Sequence, residues 1–265
     1  MAVEADMVAR ALAITWEHVF QALPTGWARR QGGVVAGVTG VGLAFFNGVW
    51  PESADPDPAT VSQLLGEVAA TGLPHCLQLR PRASASFEDL ALGRGMVPEQ
   101  PVPLMLLEGT GAIARLVDVE GLVVRELTPE EAGSHARAAA SGFEVRDEPL
   151  LKFITPAVLA LPGVRCYLGE VDGEPVTTGM GITIGPFVGI FDIATPPAHR
   201  GRGYAAAVTA RAVADGLAAG ARWSWLQSSP AGHSLYRRLG FRDVELWSFW
   251  VSADEGEPHM PSRSP

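Results

Sequence analysis

The chain has 265 residues, 47% hydrophobic and 18% charged, with a formal net charge of −9 at pH 7. That supplies one large or two small apolar cores and excludes wholesale disorder. The acidic balance, with no basic stripe, excludes nucleic acid as an electrostatically favoured partner. The two cysteines, Cys76 and Cys166, stand far apart without motif neighbours, so neither a disulfide framework nor a CxxC metal site is expected. Both read as buried small hydrophobes in a reducing compartment. No apolar run reaches the roughly 18 residues of a membrane span. The first residues mix Glu4, Asp6, Arg10 and Glu17 with apolar positions, an amphipathic helix and not a signal peptide. A soluble, cytoplasmic protein is expected.

In chain order, residues 1–23 predict a helix, with Leu12, Trp16, Val19, Phe20 and Leu23 at roughly helical spacing. Val- and Gly-rich sequence from Gly33 to Trp50 predicts closely packed strands, and the Pro- and acid-rich run Pro51 to Pro58 a loop. A helix follows from Ala59 to Ala70, with Asp57 as its cap and Pro58 in its first turn. Strand Cys76–Leu79, helix Phe87–Leu92 and strand Val102–Leu107 come next, then a linker from Glu108 to Glu120.

The pattern then restarts. Val123–Leu127 predicts a strand, and Thr128-Pro129-Glu130-Glu131 opens a helix to Ser141, with a second helix between Pro149 and Leu161. Val164–Val171 and Val176–Ile184 form a hairpin across Asp172-Gly173, and Phe187–Thr195 is the third strand of that meander. Helix Tyr204–Ala219, strand Trp223–Gln227, helix Ala231–Leu239 and strand Val244–Val251 complete the series before a Pro- and Ser-rich tail. The halves echo each other: Val68-Ala69-Ala70, Leu77-Gln78 and Pro81 share their spacing with Leu217-Ala218-Ala219, Leu226-Gln227 and Pro230. A duplicated α/β unit is the expectation. The domains are expected at 1–115 and 121–252, with a disordered tail at 253–265.

The segment Ile193-Ala194-Thr195-Pro196-Pro197-Ala198-His199-Arg200-Gly201-Arg202-Gly203-Tyr204-Ala205 carries the chemistry. A strand ends, a proline-bearing loop turns, and a glycine run opens a helix whose first N–H groups have no internal acceptor. Gly201 and Gly203 let an anion approach the backbone, and Arg200 and Arg202 add charge, so the run predicts a diphosphate cradle. Walker A is excluded because no Gly-Lys-Ser/Thr occurs. The dinucleotide fingerprint fails because Gly201-Arg202-Gly203 leads to Ala206.

Arg200-Gly201-Arg202-Gly203-Tyr204-Ala205 resembles the (R/Q)-x-x-G-x-(G/A) signature of the GNAT superfamily of acyl-CoA-dependent N-acetyltransferases. Ser234-Leu235-Tyr236-Arg237-Arg238-Leu239-Gly240-Phe241 is similar to that family's second motif. The resemblance covers about residues 121–252. It implies an α/β (α+β) fold with a mixed, mostly antiparallel sheet flanked by helices. It also implies acetyl-CoA as cosubstrate and a small-molecule amine as acceptor, attacked directly in a ternary complex. The backbone of Ile193-Ala194-Thr195 would hold the pantetheine arm as an added strand. Amides across Arg202 to Ala205 would hold the pyrophosphate, and Tyr236 would protonate the departing thiolate. A backbone N–H near Thr195 would polarise the thioester carbonyl. The competing reading of Tyr236 is a core aromatic on an amphipathic helix.

Two positions depart from the family. Ser229 stands where an Asn often contacts CoA, and Gly189 stands where some members carry a glutamate base. Asp192 is nearby as a structural contact, so the amine would lose its proton through water or to a residue outside the motif. Glu144, Asp147 and Glu148 fall in the expected acceptor loop, where they either hold a cationic amine or form a solvated charged loop. Trp247 and Trp250 read as core or as acceptor-pocket walls, and His199 and His233 as surface residues or site neighbours. In the first half, Asn47 to Pro58 bears Glu52, Asp55 and Asp57 and no arginine, so that copy looks degenerate. A catalytically silent acyl-CoA-binding or sensor module is the alternative to the enzyme. A symmetric homodimer is the base-rate expectation for the assembly.

Overall fold

The computed structural model describes residues 2–82, 85–110, 113 and 119–253. Contacts divide the chain into two units: Met1–Leu104 with the segment beginning at Asp243, and Met105–Arg242.

In the first unit, helix α1 (Ala2–Phe20) precedes an antiparallel meander of β1 (Trp27–Gln31), β2 (Val34–Val38) and β3 (Asn47–Pro51). Helix α2 (Pro58–Ala69) leads to β4 (Cys76–Leu79), which runs parallel to β3. Helix α3 (Ala85–Gly93) and strand β5 (Met96–Glu108) follow. The start of α2 is as expected: Pro58 occupies its first turn and the Asp57 carboxylate accepts the Thr60 amide at 2.9 Å. Its buried stripe Val61, Leu64, Leu65, Val68 meets Val34, Ala36, Leu77 and Leu79 in one core. Each such side chain contributes about 1.5–3 kcal/mol on burial.

The second unit repeats this plan. Strand β6 (Leu122–Glu126) and helices α4 (Ala132–Phe143), α5 (Asp147–Phe153) and α6 (Pro156–Leu159) lead into a second antiparallel meander. It consists of β7 (Val164–Val171), β8 (Glu174–Ile184) and β9 (Phe187–Ala194). Helix α7 (Tyr204–Ala218), strand β10 (Trp223–Gln227) parallel to β9, helix α8 (Pro230–Arg238) and β11 (Arg242–Ser252) finish the chain. Meander, helix, parallel strand, helix and strand thus occur twice. The mixed, mostly antiparallel α/β fold is the one the sequence predicts.

Three details differ from expectation. Strand β1 is added ahead of Gly33: its Arg29, Arg30 and Gln31 are exposed, which gives it a loop-like composition. Strand β5 begins at Met96 and runs through Pro98, Pro101 and Pro103, residues that lack an N–H and disguise a strand. The helix expected between Pro149 and Leu161 is two, because Pro156 ends one pattern and opens the next under a Thr155 cap.

The closing strands are exchanged. Met96 of β5 packs in the first core, whereas Met105 and Leu107 pack in the second beside Tyr167, Val208 and Tyr236. Strand β11 pairs antiparallel with β4, Ser248–Val251 against Leu79–Cys76, and Trp250 joins the first core. The sequence-based division at 115/121 assigns Val244–Val251 to the second half; its contacts lie in the first unit. Most of the 108–120 linker and the expected tail beyond residue 253 lie outside the described residues. Ile113, within that linker, is buried in the second core.

Candidate active site at the end of strand β9

The site is built where β9 leaves its neighbours. Thr178 pairs with Ala194 and Met180 with Phe191, so two steps along β8 oppose three along β9. Asp192 and Ile193 have no partner in that register, and Asp192 takes φ 50°. This is a bulge, which bends a strand and re-aims its side chains. On the other edge, β9 pairs with β10 only from Phe187–Gly189 to Trp223–Trp225, although β9 continues to Ala194. The last residues of β9 therefore offer a strand edge that β10 does not cover.

Gly189 has a packing reason. A Cβ there would stand 2.6 Å from the Phe191 ring and 2.8 Å from the Trp225 ring. Those rings meet edge to face at 5.3 Å between centroids, filling the space a glutamate would need.

Beyond β9 the chain makes a short turn at Pro197–His199, and Gly201 and Gly203 adopt φ 76° and 84°. Only glycine takes such angles without strain. Gly203 is the N-cap of α7 and supplies no side-chain cap, and no acid lies in the first helical turn. A Cβ on Gly201 would meet nothing within 4 Å. The helix start is thus an uncapped set of backbone donors beside open space, which suits an anion. Tyr204 is buried, so at this helix start it offers its amide and not its ring.

Arg200 is a clamp as well as a charge. Its guanidinium donates to the carbonyls of Thr195 and Gly142, each at 3.0 Å, and to Glu144 at 2.7 Å. It fastens the glycine loop to the C-terminus of α4, where Glu144 sits at φ 58°. Arg202 is exposed and donates to the Ala198 carbonyl at 3.4 Å. The Thr195 hydroxyl meets that of Thr177 at 2.8 Å, anchoring the strand end.

Helix α8 carries the second motif. Ser229 caps it, its hydroxyl accepting the Gly232 amide at 3.2 Å, so this oxygen is engaged in the helix start. The Tyr236 ring is buried against Phe241, 6.0 Å away and edge to face. Burial pushes the phenol's pKa up, favouring the protonated form. The residue is a core aromatic that keeps its phenolic proton.

Of the acids expected around an acceptor, Glu144 is paired with Arg200 and Glu148 with Lys152 at 2.8 Å. Trp247 and Trp250 pack in the first unit. His135, which has no motif around it in the sequence, is fully buried on α4 beside Asp192. Among the described residues there is no group of His, Cys, Asp and Glu able to hold a metal, and no helix is long and apolar enough to cross a membrane.

Residues 162–243 match a family model described as "Acetyltransferase (GNAT) domain". That span contains the β9 bulge, the glycine loop and Tyr236. No curated protein matches. Among solved structures, a GCN5-related N-acetyltransferase from Kribbella flavida aligns over 94% of this chain and 96% of its own, at 20% identity and TM-score 0.67. One from Sphaerobacter thermophilus aligns over 83% and 80%, at 15% identity and TM-score 0.57. A tandem GNAT protein from the clavulanic acid biosynthesis pathway covers 87% and 84%, at 14% identity and TM-score 0.56. At these identities the structures establish a shared fold. Residues 162–243 thus match a GNAT acetyltransferase domain, and the chain shares the fold of these GNAT proteins.

Proposed function

We propose that the protein transfers an acetyl group from acetyl-CoA to the amine of a small molecule, by direct attack in a ternary complex. The observation that carries this reading is the uncapped start of α7 behind Gly201 and Gly203, in the same unit as a buried Tyr236 whose phenol burial keeps protonated. Amides from Arg202 to Ala205 hold the pyrophosphate, and the free edge at Ile193-Ala194-Thr195 takes the pantetheine arm as an added strand. An N–H near Thr195 polarises the thioester carbonyl. As the C–N bond forms and the C–S bond breaks, Tyr236 gives its proton to the thiolate and recovers one from the new amide nitrogen. Arg200 acts mainly by holding the loop, and Ser229 by capping α8.

The first unit is the silent copy in this reading. At the corresponding helix start, Asp57 places a carboxylate on the Thr60 amide, where α7 presents an uncapped backbone. A diphosphate meets negative charge there and an occupied donor. The protein works in the cytoplasm, where acetyl-CoA is made and used.

Calorimetric titration of the full chain with acetyl-CoA tests the site. Gly203→Glu sets a carboxylate against the diphosphate and abolishes binding; unchanged affinity in that variant places the site elsewhere. The packed rings around Gly189 favour one alternative, an acyl-CoA-binding module without catalysis. Thiol release across a panel of amines separates the two, since a binding module releases none.

A further inference from the structure

At the β9 bulge, His135 has no exposed side-chain surface and Asp192 keeps only 11% exposed, with Nε2 and Oδ2 3.8 Å apart. Among the described residues, neither ring nitrogen of His135 nor Oδ2 of Asp192 has a hydrogen-bond partner. Buried polar atoms are nearly always bonded, and three orphans on two neighbouring side chains are costly to keep in a stable core. Asp192 is also held at φ 50°, an angle uncommon for a residue with a side chain. Unpaired polar groups and backbone strain at one point suit chemistry better than packing.

Asp192 directly precedes the Ile193–Thr195 segment assigned to the pantetheine arm. Its Oδ2 is enclosed, so the exposed part of the side chain lies elsewhere, and the residue spans from the buried histidine to the outside. We propose that Asp192 is the base that takes the proton from the acceptor amine, and that His135 is its positioning residue, sharing that proton inside the unit. This rests on the acetyltransferase reading above. The Phe191 and Trp225 rings fill the space around Gly189, so the carboxylate near the end of β9 is that of Asp192.

The protons balance. The substrate ammonium gives one proton to the Asp192–His135 pair, and its freed lone pair attacks the thioester carbon. The second proton passes from the amide nitrogen to Tyr236 as that phenol protonates the thiolate. The pair returns its proton to solvent, so ammonium and acetyl-CoA become amide, free thiol and one released proton.

The charged and titratable surroundings are few. On β7, burial and the charges of Asp192 and Glu126 (on β6) keep the Cys166 thiol protonated. On α5, Asp147, Glu148 and Lys152 are exposed, the last two paired with each other. Tyr167 and Asp215 bond to each other, with Arg211 on the same carboxylate, on the α7 side of the sheet. The β8 hydroxyls of Thr177 and Thr178 are occupied by the carbonyls of Ala194 and Asp192.

The test uses Asp192→Asn, which keeps the side-chain shape and tolerates the left-handed backbone, together with His135→Gln. In the full chain, both are expected to bind acetyl-CoA as the wild type does. Asp192→Asn is expected to lower kcat by roughly 10²-fold and to shift the rising limb of the pH–rate profile upward, toward the amine's own ionisation. His135→Gln should move the same limb by less. Histidine NMR, assigned by loss of the His135 signal, should show its ring resonances displaced in Asp192→Asn. If the wild type turns over and Asp192→Asn leaves rate, pH profile and the His135 resonances unchanged, the pair is structural and the proposal is overturned alone. A wild type that binds no acetyl-CoA overturns the transferase reading, and this proposal with it.

Discussion

Gly232 gives Tyr236 its place: a Cβ on Gly232 would stand 2.9 Å from Cε2 of the Tyr236 ring, one turn along the same helix. The hydroxyl's position is therefore set by the absence of a side chain four residues earlier. Gly232→Ala raises helix propensity yet pushes the ring aside, so kcat should fall although stability changes little. Tyr236→Phe keeps the ring and removes only the proton. It should lower kcat by roughly 10²-fold with little change in acetyl-CoA affinity. A loss of affinity at unchanged kcat in Tyr236→Phe would make the residue a packing element. Both variants are read by thiol release and calorimetry, once an accepted amine is known.

The glycine loop allows backbone strain to be separated from ligand contact. Gly201→Ala adds a methyl that touches nothing within 4 Å, so its cost is the left-handed backbone, about 1–2 kcal/mol. Gly201→Asn should recover part of that loss. Thermal unfolding of the two variants checks the order; equal melting temperatures would show that the loop tolerates a Cβ at this angle.

Arg200 and Glu144 are each about half exposed, at 51% and 52% of the side chain, so their ion pair is screened by solvent. A double-mutant cycle of Arg200→Gln and Glu144→Gln should give a coupling of about 0.2–1 kcal/mol. Arg200→Gln alone should weaken acetyl-CoA binding more than Glu144→Gln, because it also releases the Thr195 and Gly142 carbonyls. Equal effects of the two single changes would reduce the clamp to its ion pair.

The cap of α2 predicts an acid-side effect. The Thr60 hydroxyl and amide hold the Asp57 carboxyl below its usual value of 3.8. A carboxyl held down by the fold adds stability above the unfolded value, and that stability is lost as pH falls through the lowered folded value. Asp57→Ala should therefore be less stable than wild type at neutral pH, and the two should converge as pH falls from the ordinary carboxyl value through the lowered one. Asp57→Asn should stay close to wild type at neutral pH, since Asn caps equally well, and should not share the acid-side loss. Chemical denaturation across that range provides the measurement.

A fragment beginning at residue 121 should not fold as a unit. It lacks Met105, Leu107 and Ile113, all buried in the second core, each contributing about 1.5–3 kcal/mol. Circular dichroism of such a fragment, with one beginning at Met105 for comparison, tests this. A cooperative thermal transition in the shorter piece would show that these side chains are dispensable.

Local chemistry was legible in the sequence where one short stretch decides the structure. Asp57-Pro58 specifies a helix start, and Asp172-Gly173 adopts φ 51° and 82°, the pair a two-residue hairpin needs. Gly201 and Gly203 likewise announce the α7 entry. What stayed hidden depends on residues distant in sequence. His135 on an Ala-rich helix has no motif around it, and its meaning comes from Asp192 across the fold. The partners of Arg200 are Gly142 and Glu144, on another helix. Strand β1 is masked by its arginines and the start of β5 by its prolines. A lone histidine on the apolar stripe of α4, spaced with Ala132, Ala136 and Ala139, is the one signal that would have pointed to the pair.

The pairing of β4 with β11 sets an order on biosynthesis. As the polypeptide leaves the ribosome from its N-terminus, residues 2–104 emerge early, but β4 finds its partner only after Val251 has been translated. The earlier-made unit is thus completed last. Until then it exposes the β4 edge, together with the hydrophobic place that Trp250 fills. The second unit faces no such wait, since Met105, Leu107 and Ile113 are already made when Tyr236 arrives. The nascent chain therefore carries an open β-sheet edge from the making of β4 to the making of β11, a condition in which chaperone cover or fast elongation limits aggregation.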